Sequence, residues 1–269
     1  MKLLKTIVLL SFLSGCASFE NSVFELGLSA ERAMAGFDKH QIQLSDHNWT
    51  YLEAGNPLDP TVVLLHGFAA DKDNWTRMVQ KLEGFHVIAP DLPGHGDSSF
   101  DDSQHYGFDK QSLRLAEFVD ALGLTRFHLV GNSMGGGIAG LYAYRHPGKV
   151  LSLALLDAAG FYGDQPSELQ LLIENKQKNP LIVRSPQDME VLMSFAMEQV
   201  PFLPWPATNV LARRAMAKEP ANDHIFKNMM QEVEAAKYSG GFTNIFSKLT
   251  LPSLVLWGEK DRVIHVSSV

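Results

Sequence analysis

The chain has 269 residues, 45% of them hydrophobic and 20% charged, which is material for one large folded domain and excludes a disordered or fibrous chain. The formal net charge of −7 argues against a nucleic-acid partner, which calls for a basic face. A single cysteine, Cys16, excludes an internal disulfide.

The chain opens with Lys2 and Lys5, then the apolar run Thr6 to Leu13, then Leu13-Ser14-Gly15 before Cys16. The run is too short to span a bilayer and predicts a secretory signal over 1–15. Leu-Ser-Gly-Cys resembles the bacterial lipoprotein box, in which cleavage precedes the cysteine and the cysteine is then lipidated. Several acyl chains on Cys16 would anchor the chain firmly, since one alone is marginal. Ala17 stands where such lipoproteins carry an aspartate for inner-membrane retention, so the expected place is the cell envelope, at the outer membrane. Residues 16–38 read as a tether with a short helix over Ser29 to Ala35, ended by Gly36.

From residue 39 to the end the pattern is that of one α/β domain. Lys39 to Leu44 and Asn48 to Ala54 alternate like the strands of a hairpin. Thr61 to His66, Phe85 to Ala89, Arg126 to Val130, Val150 to Leu156 and Leu254 to Trp257 are continuous apolar runs, as strands buried on both faces require. Helical segments over Asp73 to Leu82 and Asp109 to Leu122 alternate with them, which predicts a mostly parallel, doubly wound sheet. Residues 161–250 break the alternation with about four helical segments and many prolines, and predict a helical cap between two sheet strands. Met189, Met193 and Met197 recur every four residues there, on one helical face, and suit either a pocket for flexible apolar chains or the packing under the cap. Pro201 to Pro206, with Trp205 inside it, reads as a stiff loop.

The chemistry concentrates in Gly131-Asn132-Ser133-Met134-Gly135, between a strand and a small-residue helix. A strand, a sharp turn and a helix push the Ser133 hydroxyl out at the tip of the sheet and leave the first helical amides unpaired. His66-Gly67-Phe68 ends an earlier strand, and the Phe68 amide, with that of Met134, can form a two-donor oxyanion hole worth roughly 3 kcal/mol per donor in the transition state. His66 reads as a brace for this loop rather than a base.

His-Gly-Phe at 66–68, Asp-Leu-Pro-Gly-His-Gly-Asp-Ser at 91–98, Gly-Asn-Ser-Met-Gly-Gly at 131–136 and Trp-Gly-Glu-Lys-Asp-Arg-Val at 257–263 come in this order. The chain resembles the α/β-hydrolase superfamily and, within it, bacterial lipoprotein lipases, from about residue 30 to the end. The resemblance implies an α/β-hydrolase fold, Ser133 as nucleophile, Asp261 as the acid that orients a histidine, and Asp91 as a loop brace. Asp157 is the alternative acid. A serine hydroxyl needs a histidine to take its proton, and the family's histidine follows one further helix and strand. His265 is too close to Asp261 in the chain to reach over the serine and reads as a turn or cap residue. The expectation is a domain that lacks the final strand, helix and histidine loop.

The resulting expectation is a serine hydrolase that cleaves carboxylic esters, acylglycerols or other lipid esters, through an acyl-enzyme on Ser133. It is expected to act as a monomer on a lipid or small ester substrate, held at the membrane through Cys16, with no metal and no organic cofactor. A carbon–carbon bond hydrolase of aromatic degradation shares this serine elbow, and an arginine-lined cap would favour it. A non-heme peroxidase-type relative and a catalytically dead lipoprotein that only binds apolar ligands are further alternatives. Dehalogenase and epoxide hydrolase chemistry is disfavoured, because those relatives carry an aspartate where Ser133 stands.

Overall fold

The computed structural model describes residues 2–161, 163–239 and 241–269, without the side chains of 2–15, 237–239 and 241–243. In chain order it runs α1 (Lys2–Met34), β1 (Asp38–Gln43), β2 (Asn48–Ala54), β3 (Thr61–Leu65), a 3-10 turn (Lys72–Trp75), α2 (Thr76–Val79) and β4 (His86–Pro90). Then follow α3 (Phe108–Ala121), β5 (Phe127–Asn132), α4 (Met134–Arg145) and β6 (Val150–Leu156). The insertion brings α5 (Glu168–Glu174), α6 (Pro186–Ala196), α7 (Ala207–Ala217), α8 (Glu219–Ser239) and α9 (Gly241–Phe246), before β7 (Ser253–Leu256) and a final 3-10 turn (Val266–Ser268).

The strands form one sheet in the order β1-β2-β4-β3-β5-β6-β7. The β1–β2 and β2–β4 pairs are antiparallel, and every later pair is parallel. The continuous apolar runs of β3 and β4 are buried on both faces, whereas β7, expected to be buried likewise, is exposed along Ser253–Leu256. Val63, Leu65, Ile88, Leu129, Leu153 and Leu155 face a core shared with α3 and α4, while Val62, Leu64, Val87 and Ala89 face a second core with Trp75, Val79 and Phe37. The fold class expected from the sequence, a doubly wound α/β sheet carrying a helical insertion, is the one observed.

Two expectations need correction. The stretch expected as a tether with one short helix is helical throughout to Met34, and it is packed against the rest of the chain. Glu20 binds Arg213 at 2.6 Å, Glu25 binds Arg214, and Arg32 holds Asp73 through two contacts of 2.6 Å. These partners lie far along the chain, so no local pattern announces them. The expected signal segment, 1–15, lies outside the residues with described side chains. The helix expected over 73–82 is shorter, split into the 3-10 turn and the four residues of α2. The insertion expected as a helical cap is packed in part into the main core. Ile225 and Met229 of α8, with Phe246 of α9, enter the main core, whereas Leu169, Leu181 and Phe195, and Val183, Met189 and Ala212, form the small cores of α5–α7.

Helix α4 begins in backbone contact with the sheet. A Cβ on Gly135 would stand 2.5 Å from the carbonyl oxygens of both Leu65 and His66, atoms that cannot move without breaking β3. Gly135→Ala is therefore expected to lower the unfolding free energy by at least about 2 kcal/mol, read from the urea midpoint, with no compensating local repacking.

Candidate active site

Ser133 occupies the one residue between β5 and α4, at φ 51° and ψ −118°, a conformation that L side chains rarely adopt. The surroundings hold it there. Its N–H donates to Leu156 O at 2.9 Å, and its carbonyl accepts from Gly136, Gly137 and Ala159 N–H at 2.9–3.2 Å. Backbone strain survives at such a position because four hydrogen bonds over-determine it. The side chain caps nothing and lies on the wall of the cleft.

The oxyanion loop lies against this turn. A Cβ on Gly67 would be 3.2 Å from Ser133 Cβ, so glycine alone lets the loop approach. The Phe68 amide follows directly, and the amide of Met134 opens α4 without an intrahelical acceptor. His66 Nδ1 donates to the Gly67 carbonyl at 2.8 Å, and its Nε2 accepts from Leu92 N–H at 3.0 Å. Both ring nitrogens are spent on the loop, and complete burial pulls the imidazole down to about 4. His66 is thus a neutral brace, as its sequence context suggested. His95 packs on it with ring centroids 5.1 Å apart, and on Phe68 at 6.2 Å; burial and then His66 pull it down to about 3.

Below the loop sits a charge network that the sequence reading reduced to Asp91 alone. Asp91, fully buried, accepts from Lys72 N–H and Lys72 Nζ at 2.8 Å and from Asp97 N–H at 2.8 Å. Lys72 Nζ also reaches Asp97 at 3.0 Å and Asp73 at 3.5 Å. Burial alone would discharge this lysine, but the carboxylates facing it keep it charged and raise its pKa. Asp71 caps the 3-10 turn through Asp73 N–H, and burial followed by the neighbouring Asp91 and Asp73 pushes its carboxyl up to about 7. The alternation Asp71-Lys72-Asp73 directly after the oxyanion loop was the available signal for this network.

The two candidate acids stand side by side at the ends of β6 and β7. Asp261 Oδ1 accepts from Val263 and Ile264 N–H at 2.8 and 3.0 Å, while Oδ2 has no protein partner among the described residues. Burial raises its carboxyl, the two amides hold it down, and Asp157 adds to the net rise. Asp157 has φ 48° and spends Oδ1 on Gly258 N–H at 2.7 Å. Each carboxylate thus has one oxygen held by backbone amides, two amides on Asp261 and one on Asp157, and one oxygen without a protein partner among the described residues.

No histidine answers it. His265 caps the last 3-10 turn, its Nδ1 3.1 Å from Ser267 N and 2.9 Å from Ser267 Oγ. The other histidines have partners elsewhere: His40 with Glu53, His47 with Tyr106, His86 with Thr61 and Glu53, His105 with Glu232, His128 with Ser152, His224 with Gln104 and His146 against Tyr142. Ser133, the Phe68 and Met134 amides and the two carboxylates are therefore assembled at one sheet end, and among the described residues no histidine makes a hydrogen bond to Ser133.

Two connected cavities meet at Ser133, sharing Phe68, Leu181, Val263 and Ile264. The larger, about 820 Å³, is walled by Met189, Met193, Met197, Leu192 and Phe195 and rimmed by Glu198, Glu259 and Lys260. The smaller, about 280 Å³, runs among Phe161, Leu169, Ile173, Phe226 and Met229. The three spaced methionines thus serve both roles foreseen for them, since all line the cleft while Met189 also packs in a cap core. Among the described residues no group of three or more His, Cys, Asp or Glu is arranged to hold a metal ion.

Residues 60–269 match a family model described as the alpha/beta hydrolase fold. Lipase 1 of Psychrobacter immobilis is 33% identical over 268 residues, 95% of this chain and 80% of that protein. Lipase 3 of a Moraxella species is 36% identical over 240 residues, 87% of this chain and 73% of that protein. The crystal structure of a membrane phospholipase A, a bacterial virulence factor, superposes with a TM-score of 0.88 at 42% identity, over 100% of this chain and 86% of that one.

Two measurements probe the brace beneath the oxyanion loop. Lys72→Met leaves Asp91 buried without its counter-charge and is expected to cost about 3–5 kcal/mol of stability in urea unfolding. His95 has its folded pKa below its unfolded value, so its contribution is complete above pH about 6.5 and is lost as pH falls toward 4. The wild type should therefore lose stability relative to His95→Gln by about 1.4 kcal/mol per pH unit across that window, measured as the difference between their unfolding free energies.

Proposed function

The chain belongs to the α/β-hydrolase family, in its ester-cleaving lipase lineage, and from that premise we propose that Ser133 opens carboxylic esters of lipids, acylglycerols first, through an acyl-enzyme. The observation that carries this reading is the strained Ser133 turn, with the Gly67–Phe68 loop held against it. Attack by Ser133 Oγ on the ester carbonyl puts negative charge on the carbonyl oxygen, which the Phe68 and Met134 amides accept. The alcohol leaves, and water then releases the acyl group from Ser133. Asp261, which lines the cleft with its Oδ1 held by two amides, is the proposed acceptor for an imidazole N–H.

The lining of the cavities supports a lipid ester over a carbon–carbon substrate. A vinylogous diketone carries an anionic end and calls for arginine in the cap. Arg262, the arginine on the cleft wall, is held by Glu168 at 2.6 and 2.7 Å, and the cap side of the cleft is mostly methionine, leucine and phenylalanine, with Ser194, Ala196 and Glu198 among them. Two apolar arms meeting at the serine fit an acyl chain in one and the remainder of the lipid in the other. Cys16, exposed on α1, is the proposed lipidation site, and the proposed location is the bacterial cell envelope at the outer membrane. Among the described residues no helix is long and apolar enough to cross a membrane.

Among the described residues no imidazole stands beside Ser133, so the expected rate is that of a polypeptide of these 269 residues. Removal of a triad histidine alone costs roughly a million-fold in turnover, and both halves of the reaction need the base. With an activated ester such as p-nitrophenyl butyrate, the chain is expected to turn over slowly and to retain one acyl group on Ser133, visible in the intact mass. Added imidazole should accelerate both acylation and release, and Ser133→Ala should abolish both. If the wild type shows neither adduct nor imidazole-dependent hydrolysis, the reading as an esterase fails for this polypeptide and a lipid-binding role stands in its place.

A further inference from the structure

The loop between α6 and α7 exposes a cluster of apolar side chains that the cap core does not use. Phe202 is 85% exposed, Trp205 63% and Val200 50%, and Val200 to Pro206 contains no charged or hydrogen-bonding side chain other than the Trp205 indole N–H. The cluster continues onto α1, where Phe19 is 61% exposed and its ring centroid lies 6.2 Å from that of Trp205. Soluble surfaces rarely group apolar side chains this way unless something covers them.

We propose that this face, Phe19 with Val200, Phe202 and Trp205, docks the cap onto a lipid bilayer at its headgroup boundary. The inference rests on the Cys16 anchor proposed above. Cys16 and Phe19 are three residues apart on one helix, so they share a face and are separated by about 4.5 Å along the axis. A bilayer that holds acyl chains on Cys16 is thus within reach of Phe19 and, one ring further, of Trp205. Insertion of about 5–10 Å is the depth at which such apolar faces settle, and tryptophan favours that boundary, because its ring is apolar and its N–H can meet headgroup or water.

The neighbouring charges argue for the same partner. Arg213 and Arg214, which follow the loop on α7, are spent on Glu20 and Glu25 of α1, and the net charge of the chain is −7. Attraction to anionic lipid has little to work with, so docking depends on apolar insertion and changes little with salt. The functional gain is geometric. Met197 and Glu198, at the start of the same loop, line the cleft that leads to Ser133, so a docked cap opens its cleft beside the bilayer and a lipid passes from membrane to serine with little exposure to water.

The test uses the full chain reconstituted into phosphatidylcholine vesicles, with and without bromine on the acyl chains, and needs no turnover. Trp49 and Trp75 are buried and Trp257 is half-buried with its N–H on Ile264, so Trp205 is the tryptophan that lipid can reach. Brominated lipid should quench about a quarter of the emission, one tryptophan in four, and 0.5 M salt should not reverse it. Trp205→Phe should remove the quenched fraction, and Phe19→Ser with Phe202→Ser should reduce it while circular dichroism stays that of the wild type. A chain that floats with the vesicles but shows equal emission in both lipids overturns the docking and leaves the anchor standing. A chain that does not float overturns both. Blue-shifted Trp205 emission in detergent, with elution as a dimer, overturns the proposal in favour of a second copy on this face.

Discussion

Helix α4 lies so close to the sheet that its first turn touches the backbone of β3, and most of the site follows from that contact. A methyl group on Gly135 would meet two carbonyl oxygens at 2.5 Å, and one on Gly136 would meet Ala158 Cβ at the same distance. A helix entering at this distance leaves a single residue to turn the chain from β5 into α4. Ser133 must therefore take positive φ, and its side chain is thrust beyond the sheet edge into the cleft. The strain is local, while the hydrogen bonds that sustain it come from Leu156, Ala159 and the helix itself. The reactive hydroxyl is thus a product of close packing, and the amide of Met134 beside it is a product of helix geometry.

The other half of the site is held electrostatically. The loop Gly67–Asp71 carries the second oxyanion amide and a left-handed Ala69, so it needs support on its far side. His66 provides it from within by bonding Gly67 and Leu92, and it does so as a neutral ring because burial makes the charged form too costly. Lys72 and Asp91 provide it from below, joining this loop to the loop after β4. A buried pair of this kind adds little net stability compared with apolar packing. Its use is directional, since a lysine that bonds Asp91 through both its amide and its ammonium fixes where the preceding loop must lie. Arg32 extends the support by clamping Asp73, so α1 touches both the brace of the oxyanion loop and, through Glu20 and Glu25, the cap.

The strands were legible because β3 and β4 are buried on both faces and their apolar runs are uninterrupted. The serine turn was legible because its glycines answer a steric demand that few other sequences meet. The N-terminal helix was not, since Glu20 and Arg213 are 193 residues apart and neither carries a local mark of its partner. The helix after the oxyanion loop looked longer than it is, because the apolar spacing of Trp75, Met78 and Leu82 serves packing under the sheet and not helix continuity. Lys72 was missed for a similar reason. A lysine between two aspartates reads as a solvated turn until burial shows otherwise.

By itself the sequence determined most of the sheet and the strand–turn–helix at Ser133, and it pointed to the Gly67–Phe68 loop and to an acid at Asp261 or Asp157, because each depends on residues within a few positions of one another. It also argued against His265 as the base, since only four positions separate it from Asp261. Only the tertiary structure decided that the histidines have their hydrogen-bond or ring partners away from Ser133, that Asp261 and Asp157 come together with one oxygen of each held by backbone amides, and that the loop at 200–206 lies beside Phe19 on the helix that carries Cys16. These are facts of juxtaposition between segments tens to hundreds of residues apart. They follow from how the faces pack, which no local spacing records.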